Sequence, residues 1–209
     1  MLRILIADDH TVVRKGLRQI LLEEFPSAEI TETADAAALF MKVLKEEWDV
    51  VITDISMPDK SGLEVLQQIR RDHPRLPVLI LSAHSEDQYA IRALKAGANG
   101  YLCKDSASEE LVSAIRRILL GKKYITASLA EKLAVHLDLE TDRPPHESLS
   151  DREFEVMKFL ASGKVVSEIA AQLCLSVTTI STYRARILTK MNLKTNYDLT
   201  RYAMDNNLL

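Results

Sequence analysis

A chain of 209 residues exceeds the ~100–200 of a typical domain, so it forms one large domain or two small ones. Its formal charge of −3 excludes a globally basic nucleic-acid binder and leaves any such function to a local patch. Its two cysteines, Cys103 and Cys174, form no CxxC pair, and no apolar run reaches the ~18 residues of a membrane span, so a cytoplasmic protein with buried thiols and no membrane segment is expected.

The N-terminal stretch Met1-Leu2-Arg3-Ile4-Leu5-Ile6-Ala7 meets Asp8-Asp9 at once, which is too short for a signal-peptide core, and its apolar run Ile4–Ala7 reads as a strand. Similar apolar runs recur at Val50–Thr53 and Val78–Leu81, and 28–31 and 100–103 supply two more strand segments. They show little alternation, as expected of parallel strands covered on both faces. Helical patterns lie between them. Ser61 with Glu64, Ser85 with Gln88 and Ser106 with Glu109 have the spacing of capping boxes. Leu111, Ala114, Ile115 and Ile118 share one helical face, and Gly97 stands where a helix end requires positive φ. The fold class expected over 1–121 is α/β, a doubly wound five-stranded parallel sheet built from repeated βα units.

The pattern then changes. Residues 127–139 read as one helix, and Pro144-Pro145 within a charged stretch reads as linker, giving a connecting segment over 122–146. From 147 to 209 the sequence is helical, with Ser150-Asp151-Arg152-Glu153 as a capping box and helices at about 151–161, 165–173, 177–190 and 196–205. The expected inner faces are Ile169, Ala170, Leu173 and Leu175, then Ile180, Ile187, Leu188 and Met191, with Ser176 capping the longer helix.

In the first half, polar residues stand at the strand ends: Asp8 and Asp9, Asp54, Ser82 and Lys104. Ligands of an open doubly wound sheet bind beyond the carboxyl ends of its strands. Three carboxylates converging there repel one another, and an oxygen-preferring divalent ion, most naturally Mg²⁺, would relieve that. A lysine and a hydroxyl on the same rim suit phosphoryl oxygens, and a carboxylate can be the nucleophile that forms an aspartyl phosphate. Asp54, at the tip of the central strand, is the best such nucleophile. Pro58 and Gly62 shape the loop that follows.

These segments, Ala7–His10, Thr53–Gly62, Leu81–His84 and Gly100–Asp105, resemble the receiver domain of two-component response regulators. The resemblance implies that Asp54 accepts phosphate from a partner sensor histidine kinase. It implies that Asp9, Asp54 and the Ser56 carbonyl bind Mg²⁺ directly while Asp8 acts mostly through water. It implies that Ser82 and Lys104 hold the phosphoryl oxygens, and that Tyr101 is a switch aromatic that moves inward with Ser82. Ser56 and His84 flank the phosphate on this reading, although His84 is equally an ordinary loop histidine facing solvent. Asp105 stands where many receivers have proline after the lysine, so no cis bond is expected there.

The stretch 166–195 reads as helix, short turn and longer helix, a helix-turn-helix layout. Between Ser176 and Met204 five basic residues, Arg184, Arg186, Lys190, Lys194 and Arg201, face one acid, Asp198. Such a patch suits phosphate contact, and the hydroxyls of Thr178, Thr179, Ser181, Thr182 and Tyr183 lie in the first turns of that helix. A plain helical unit with a solvated basic face fits the same residues. The segments 149–163 and 168–191 resemble the LuxR-type DNA-binding domain of the NarL–FixJ class. That resemblance places recognition of double-stranded DNA at Ser181, Thr182 and Ala185, with Thr178, Tyr183, Arg186 and Lys190 near the backbone. Ala185 departs from the lysine often found there. The resemblance also implies that the last helix, near Thr195–Ala203, pairs two such domains, so the active form is expected to be a homodimer on promoter half-sites. An aspartyl-phosphate phosphatase would need a D-x-D motif, and His10 stands where its second acid belongs, so an enzyme is not expected.

Overall fold

In the computed structural model the chain divides into two compact units, Met1–Val135 and His136–Leu209. The structure describes residues 1–57, 60–83, 86–138 and 144–209. His84, Pro58 and the Ser85–Gln88 cap therefore lie outside the described residues.

The first unit is built on a five-stranded sheet in the order β2-β1-β3-β4-β5. The strands are β1 (Arg3–Ala7), β2 (Glu29–Thr33), β3 (Val50–Asp54), β4 (Val78–Ser82) and β5 (Gly100–Cys103), and all pair in parallel. Every residue of β3 and β4 is buried, so those runs need no polar alternation. Burying each large aliphatic side chain there contributes about 1.5–3 kcal/mol. The edge strand β2 is the most exposed, and it is the one whose sequence reads as polar.

Helices α1 (Thr11–Glu24), α2 (Ala36–Lys45), α3 (Gly62–Asp72), α4 (Glu86–Lys95) and α5 (Ala107–Leu119) connect and follow the strands. The predicted face of α5, Leu111, Ala114, Ile115 and Ile118, packs into one apolar cluster with Ile4, Ile52 and Leu102. Helix α6 (Ala127–Asp138) is the single helix expected there. Ser61 and Glu64 form the predicted capping box, with bonds of 3.2 and 3.1 Å. Gly97 has φ +100°, and Ala98 N–H closes the end of α4 on the Ala93 carbonyl. No cis peptide bond occurs among the described residues, in line with Asp105 after Lys104.

The Ser106–Glu109 capping box does not form. A 3-10 turn over Lys104–Ser106 runs straight into α5, so the Ser106 backbone is already helical. Its hydroxyl donates back to the Cys103 carbonyl at 3.3 Å. The lysine at the end of β5 is thereby placed by a tight turn rather than by an extended cap.

The second unit holds α7 (Asp151–Ala161), α8 (Val166–Gln172), α9 (Val177–Lys190) and α10 (Asn196–Asp205). Ile169, Ala170, Leu173, Ile180, Ile187 and Met191 are buried as expected. Leu175 and Leu188 are only half-buried. Ser150 caps α7 with Glu153 in a capping box, and Ser176 accepts from Thr179 N–H at the start of α9. The N-terminal half of α7 also carries a buried ion pair, Arg152 with Glu155 at 2.7 Å, in a stretch whose pattern reads as polar surface.

Candidate functional site

Strand register assembles the first site. Ala7 pairs with Thr53, so Asp8 and Asp54, the next residues, stand level on adjacent strands. Ser82 pairs with Cys103, so Lys104 leaves β5 one residue above Ser82. Gly62 closes the loop after β3. A side chain there would place its Cβ 2.0 Å from the Asp54 carbonyl oxygen, so only glycine lets α3 start against the strand tip.

Lys104 Nζ lies 2.7 Å from Asp8 Oδ2 and 2.7 Å from Asp54 Oδ2. Asp8 and Asp54 are buried, while the Asp9 side chain keeps 32% of its surface exposed. Ser56 meets the Asp54 carboxylate through its backbone N–H. Ser82 and Tyr101 are fully buried and hydrogen-bonded to each other, so the Tyr101 ring occupies an inward position. Burial pushes the Tyr101 phenol up, and the bond to Ser82 opposes that in part.

Burial also holds the Asp54 carboxyl above its ordinary value, although Lys104 and the Ser56 N–H pull it down. Burial works against the Lys104 ammonium as well, but Asp54 and Asp8 outweigh it and keep Lys104 charged. Both partners of one ion pair are thus raised because Asp54 is the more deeply desolvated of the two.

The residues present fit a cation. Asp8, Asp9 and Asp54 bring three carboxylates against one ammonium, which leaves an excess of negative charge in a partly dry pocket. Asp8 Oδ2 is buried and pairs with Lys104 without a hydrogen bond of good alignment. Ligand atoms of Asp8, Asp9, His10 and Asp54 all lie within 4.8 Å of one another. His10 is the member that sequence reasoning missed. Its only signal is adjacency to the acidic pair.

In the second unit α9 turns one face outward. Thr178, Ser181, Thr182, Ala185 and Arg186 are exposed at helical spacing, while Ile180 and Ile187 face the core and Tyr183 is half-buried. The Thr182 hydroxyl donates to the Thr178 carbonyl at 3.0 Å, so both residues remain on the exposed stripe. Two basic residues of α9 are committed within the unit. Lys190 Nζ lies 2.6 Å from the buried Glu153, and Arg184 Nε donates to Asn196 at 2.7 Å. Arg186 makes no ion pair among the described residues.

Comparison with known proteins follows the same division. Residues 4–116 match the response regulator receiver domain family, and residues 147–203 match the luxR family of bacterial regulatory proteins. The chain is 35% identical over 210 residues to the response regulator UvrY of Escherichia coli (strain K12), covering all of this chain and 96% of UvrY. It is 34% identical over 216 residues to the oxygen regulatory protein NreC of Staphylococcus epidermidis, covering 100% of this chain and 99% of NreC. Among solved structures, RcsB of Salmonella enterica serovar Typhimurium bound to promoter rprA with the phosphomimetic BeF₃⁻ is similar, with TM-score 0.64, 29% identity, and 97% and 98% of the two chains covered. Another structure of Salmonella typhimurium RcsB gives TM-score 0.69 at 26% identity over 98% of both chains. The chain therefore belongs to the response regulators, with a receiver domain followed by a LuxR-type DNA-binding domain.

Proposed function

We propose that Asp54 is the phosphoacceptor of a receiver domain over 1–121, which signals through a connecting segment over 122–146 to a DNA-binding domain over 147–209. A sensor histidine kinase supplies the phosphoryl group. An Asp54 carboxylate oxygen forms the new P–O bond as the P–N bond of the kinase phosphohistidine breaks, and the departing imidazole takes up a proton. Lys104, already 2.7 Å from Asp54, is the observation that carries the assignment, because it can follow a transferring oxygen without rearrangement of the strand tips. Asp8, Asp9, Asp54 and the Ser56 carbonyl would hold Mg²⁺. When bound, Mg²⁺ would neutralise charge on the phosphoryl oxygens. Ser82 and Tyr101, bonded to each other beside the pocket, form the element that reads the new charge of about −1.5 to −2.

The output is DNA binding by α9, with Ser181, Thr182 and Ala185 toward base edges and Thr178, Tyr183 and Arg186 toward the backbone. Lys190 joins them only through its exposed stem, since its ammonium is paired. RcsB, similar over nearly the whole chain, has been solved on promoter DNA, which supports this reading. Two such domains in a homodimer would gain affinity by linkage alone. Moving a population from 1:99 to 99:1 requires about 5.5 kcal/mol, so dimerisation and phosphate act together. The protein is then a cytoplasmic transcription regulator rather than an enzyme. No helix among the described residues is long and apolar enough to cross a membrane.

A small phosphodonor tests the assignment. The wild type is expected to take up acid-labile phosphate and then to bind promoter fragments from its own genome more tightly. Asp54→Ala is expected to take up none. Labelling of the alanine variant to the wild-type level would overturn the assignment.

A further inference from the structure

The polar groups of the receiver pocket divide between two sides. Lys104 Nζ takes the Oδ2 atoms of Asp8 and Asp54, each at 2.7 Å. His10 takes the other oxygens, with Nδ1 2.6 Å from Asp9 Oδ1 and 3.3 Å from Asp8 Oδ1. The His10 backbone N–H also donates to Asp8 Oδ1 at 2.8 Å, which fixes the residue that carries the ring. A site described as three carboxylates and a carbonyl omits this nitrogen.

We infer that His10 is a nitrogen donor of the cation site, and that it biases the pocket from Mg²⁺ toward divalent ions that accept imidazole, Mn²⁺ first among them. The inference rests on the cation reading above and specifies it.

The geometry matches a shared ion. Ligands bound at ~2.1 Å in an octahedron are ~3.0 Å apart in cis and ~4.2 Å apart in trans. The two His10 separations, 2.6 and 3.3 Å, bracket the cis edge. His10 Nδ1 thus stands at cis spacing from one oxygen of Asp9 and one of Asp8. The Asp54 donor completes the group within the 4.8 Å limit, so a modest contraction gathers all four.

The His10 side chain is 65% exposed, as a ring reaching the pocket from the solvent side would be. Without an ion, Nδ1–H donates to Asp9. With one, the neutral ring would bind through the Nδ1 lone pair and carry its single N–H on Nε2, the proton leaving Nδ1 for solvent as another is taken up at Nε2. Imidazole suits first-row transition ions, whereas Mg²⁺ prefers oxygen and retains its waters. Loss of even an outer-shell partner costs about 10–100-fold in metal affinity. Losing an inner nitrogen should cost at least as much for Mn²⁺ and much less for Mg²⁺.

The competing role is a positioning one, in which His10 only orients Asp9 by hydrogen bonding. That role predicts equal losses for both ions and no metal–nitrogen bond. Two measurements on the full-length chain separate the roles. Calorimetric titration with Mg²⁺ and with Mn²⁺ is expected to show a Mn²⁺ preference that falls roughly tenfold or more in His10→Ala and His10→Gln. Electron spin echo spectroscopy of bound Mn²⁺ is expected to show modulation from a coordinated nitrogen. That signal should shift when the histidines carry ¹⁵N and vanish in His10→Ala. Mn²⁺ that binds the wild type without nitrogen modulation, or with a preference unchanged in both variants, overturns the inference and leaves the cation reading standing. Failure of both ions to bind overturns the two together.

Discussion

Thr126 Oγ1 donates to both carboxylate oxygens of Glu86, at 2.9 and 3.0 Å, and accepts the Leu129 N–H at 3.2 Å. One hydroxyl thus caps α6 while it is held by the first residue of α4. Helix α4 follows β4, which ends at Ser82, and Glu86 lies within electrostatic reach of the Tyr101 phenol. On the proposed switch, displacement of α4 as Ser82 and Tyr101 respond to phosphate would therefore loosen the cap of α6.

Loss of this cap should be visible locally. Thr126→Val removes both the donor and the acceptor, whereas Thr126→Ser retains them. Cap loss typically costs about 0.5–2 kcal/mol. Amide hydrogen exchange at Leu129–Glu131 is expected to accelerate in the valine variant and to stay near wild type in the serine variant. A phosphodonor should accelerate the same amides in the wild type and add little in Thr126→Val. Equal protection in all three proteins would show that the bond to Glu86 does not hold the helix end.

Asp54 has a folded-state pKa raised by burial. A raised value means that ionisation opposes folding. The stability lost is complete above the folded pKa and absent below the unfolded value of ~3.9. Asp54→Asn keeps the shape and removes the charge, and Lys104 retains Asp8 at 2.7 Å. The asparagine variant is expected to melt higher than wild type at pH 7, and the gap should close as the pH falls below about 4. Thermal denaturation of both proteins across that range checks it. An Asp54→Asn variant that melts lower at pH 7 would mean that the pair with Lys104 outweighs the cost of burying the carboxylate.

Lys104 opposes that burial, so its removal should move Asp54 further in the same direction. In Lys104→Met the Asp54 carboxyl is expected to titrate above its wild-type midpoint by ¹³C-carboxyl NMR, since one cation and one hydrogen bond are lost. Phosphate uptake should fall with it at neutral pH. Unchanged titration would mean that the 2.7 Å contact contributes nothing in solution.

The sheet and the meeting of Asp8 with Asp54 at its rim are legible because parallel pairing is regular. Once Ala7 and Thr53 are neighbours, Asp8 and Asp54 must stand side by side. Runs such as Val50–Thr53 announce strands buried on both faces, and a polar residue just past each run marks the rim. What stayed hidden depends on side-chain direction or on distant partners. Nothing in Asp8-Asp9-His10 shows that the ring turns back onto the acids. The Ser106 spacing fits a capping box, but a 3-10 turn takes the place of the cap. At α10 the same spacing argument misses Thr195, whose partner at the third position is Asp198 rather than a glutamate. Lys190 reads as part of a basic patch, because its partner Glu153 lies 37 residues earlier in the sequence.

That last pairing decides which substitutions report on DNA contact. Lys190 binds Glu153, whose side chain is only 4% exposed and which also caps α7 through Ser150. Burial works against Glu153 ionisation, but Lys190 and Ser150 outweigh it and hold its pKa below the ordinary 4.5. Stability from that lowered value is present above pH ~4.5 and is lost as the pH falls through the folded pKa. Lys190→Ala is therefore expected to destabilise the second unit by about 1 kcal/mol, a modest figure because the Lys190 side chain is 42% exposed. Arg186 is exposed, so Arg186→Ala should leave the melting temperature unchanged. It should weaken binding to every duplex about equally and reduce the slope of log affinity against log salt by about 1. Melting curves and salt-dependent binding isotherms for the two single variants separate the roles. If Lys190→Ala leaves stability untouched and removes the larger share of the salt slope, Lys190 is the phosphate contact and its pairing with Glu153 opens on DNA.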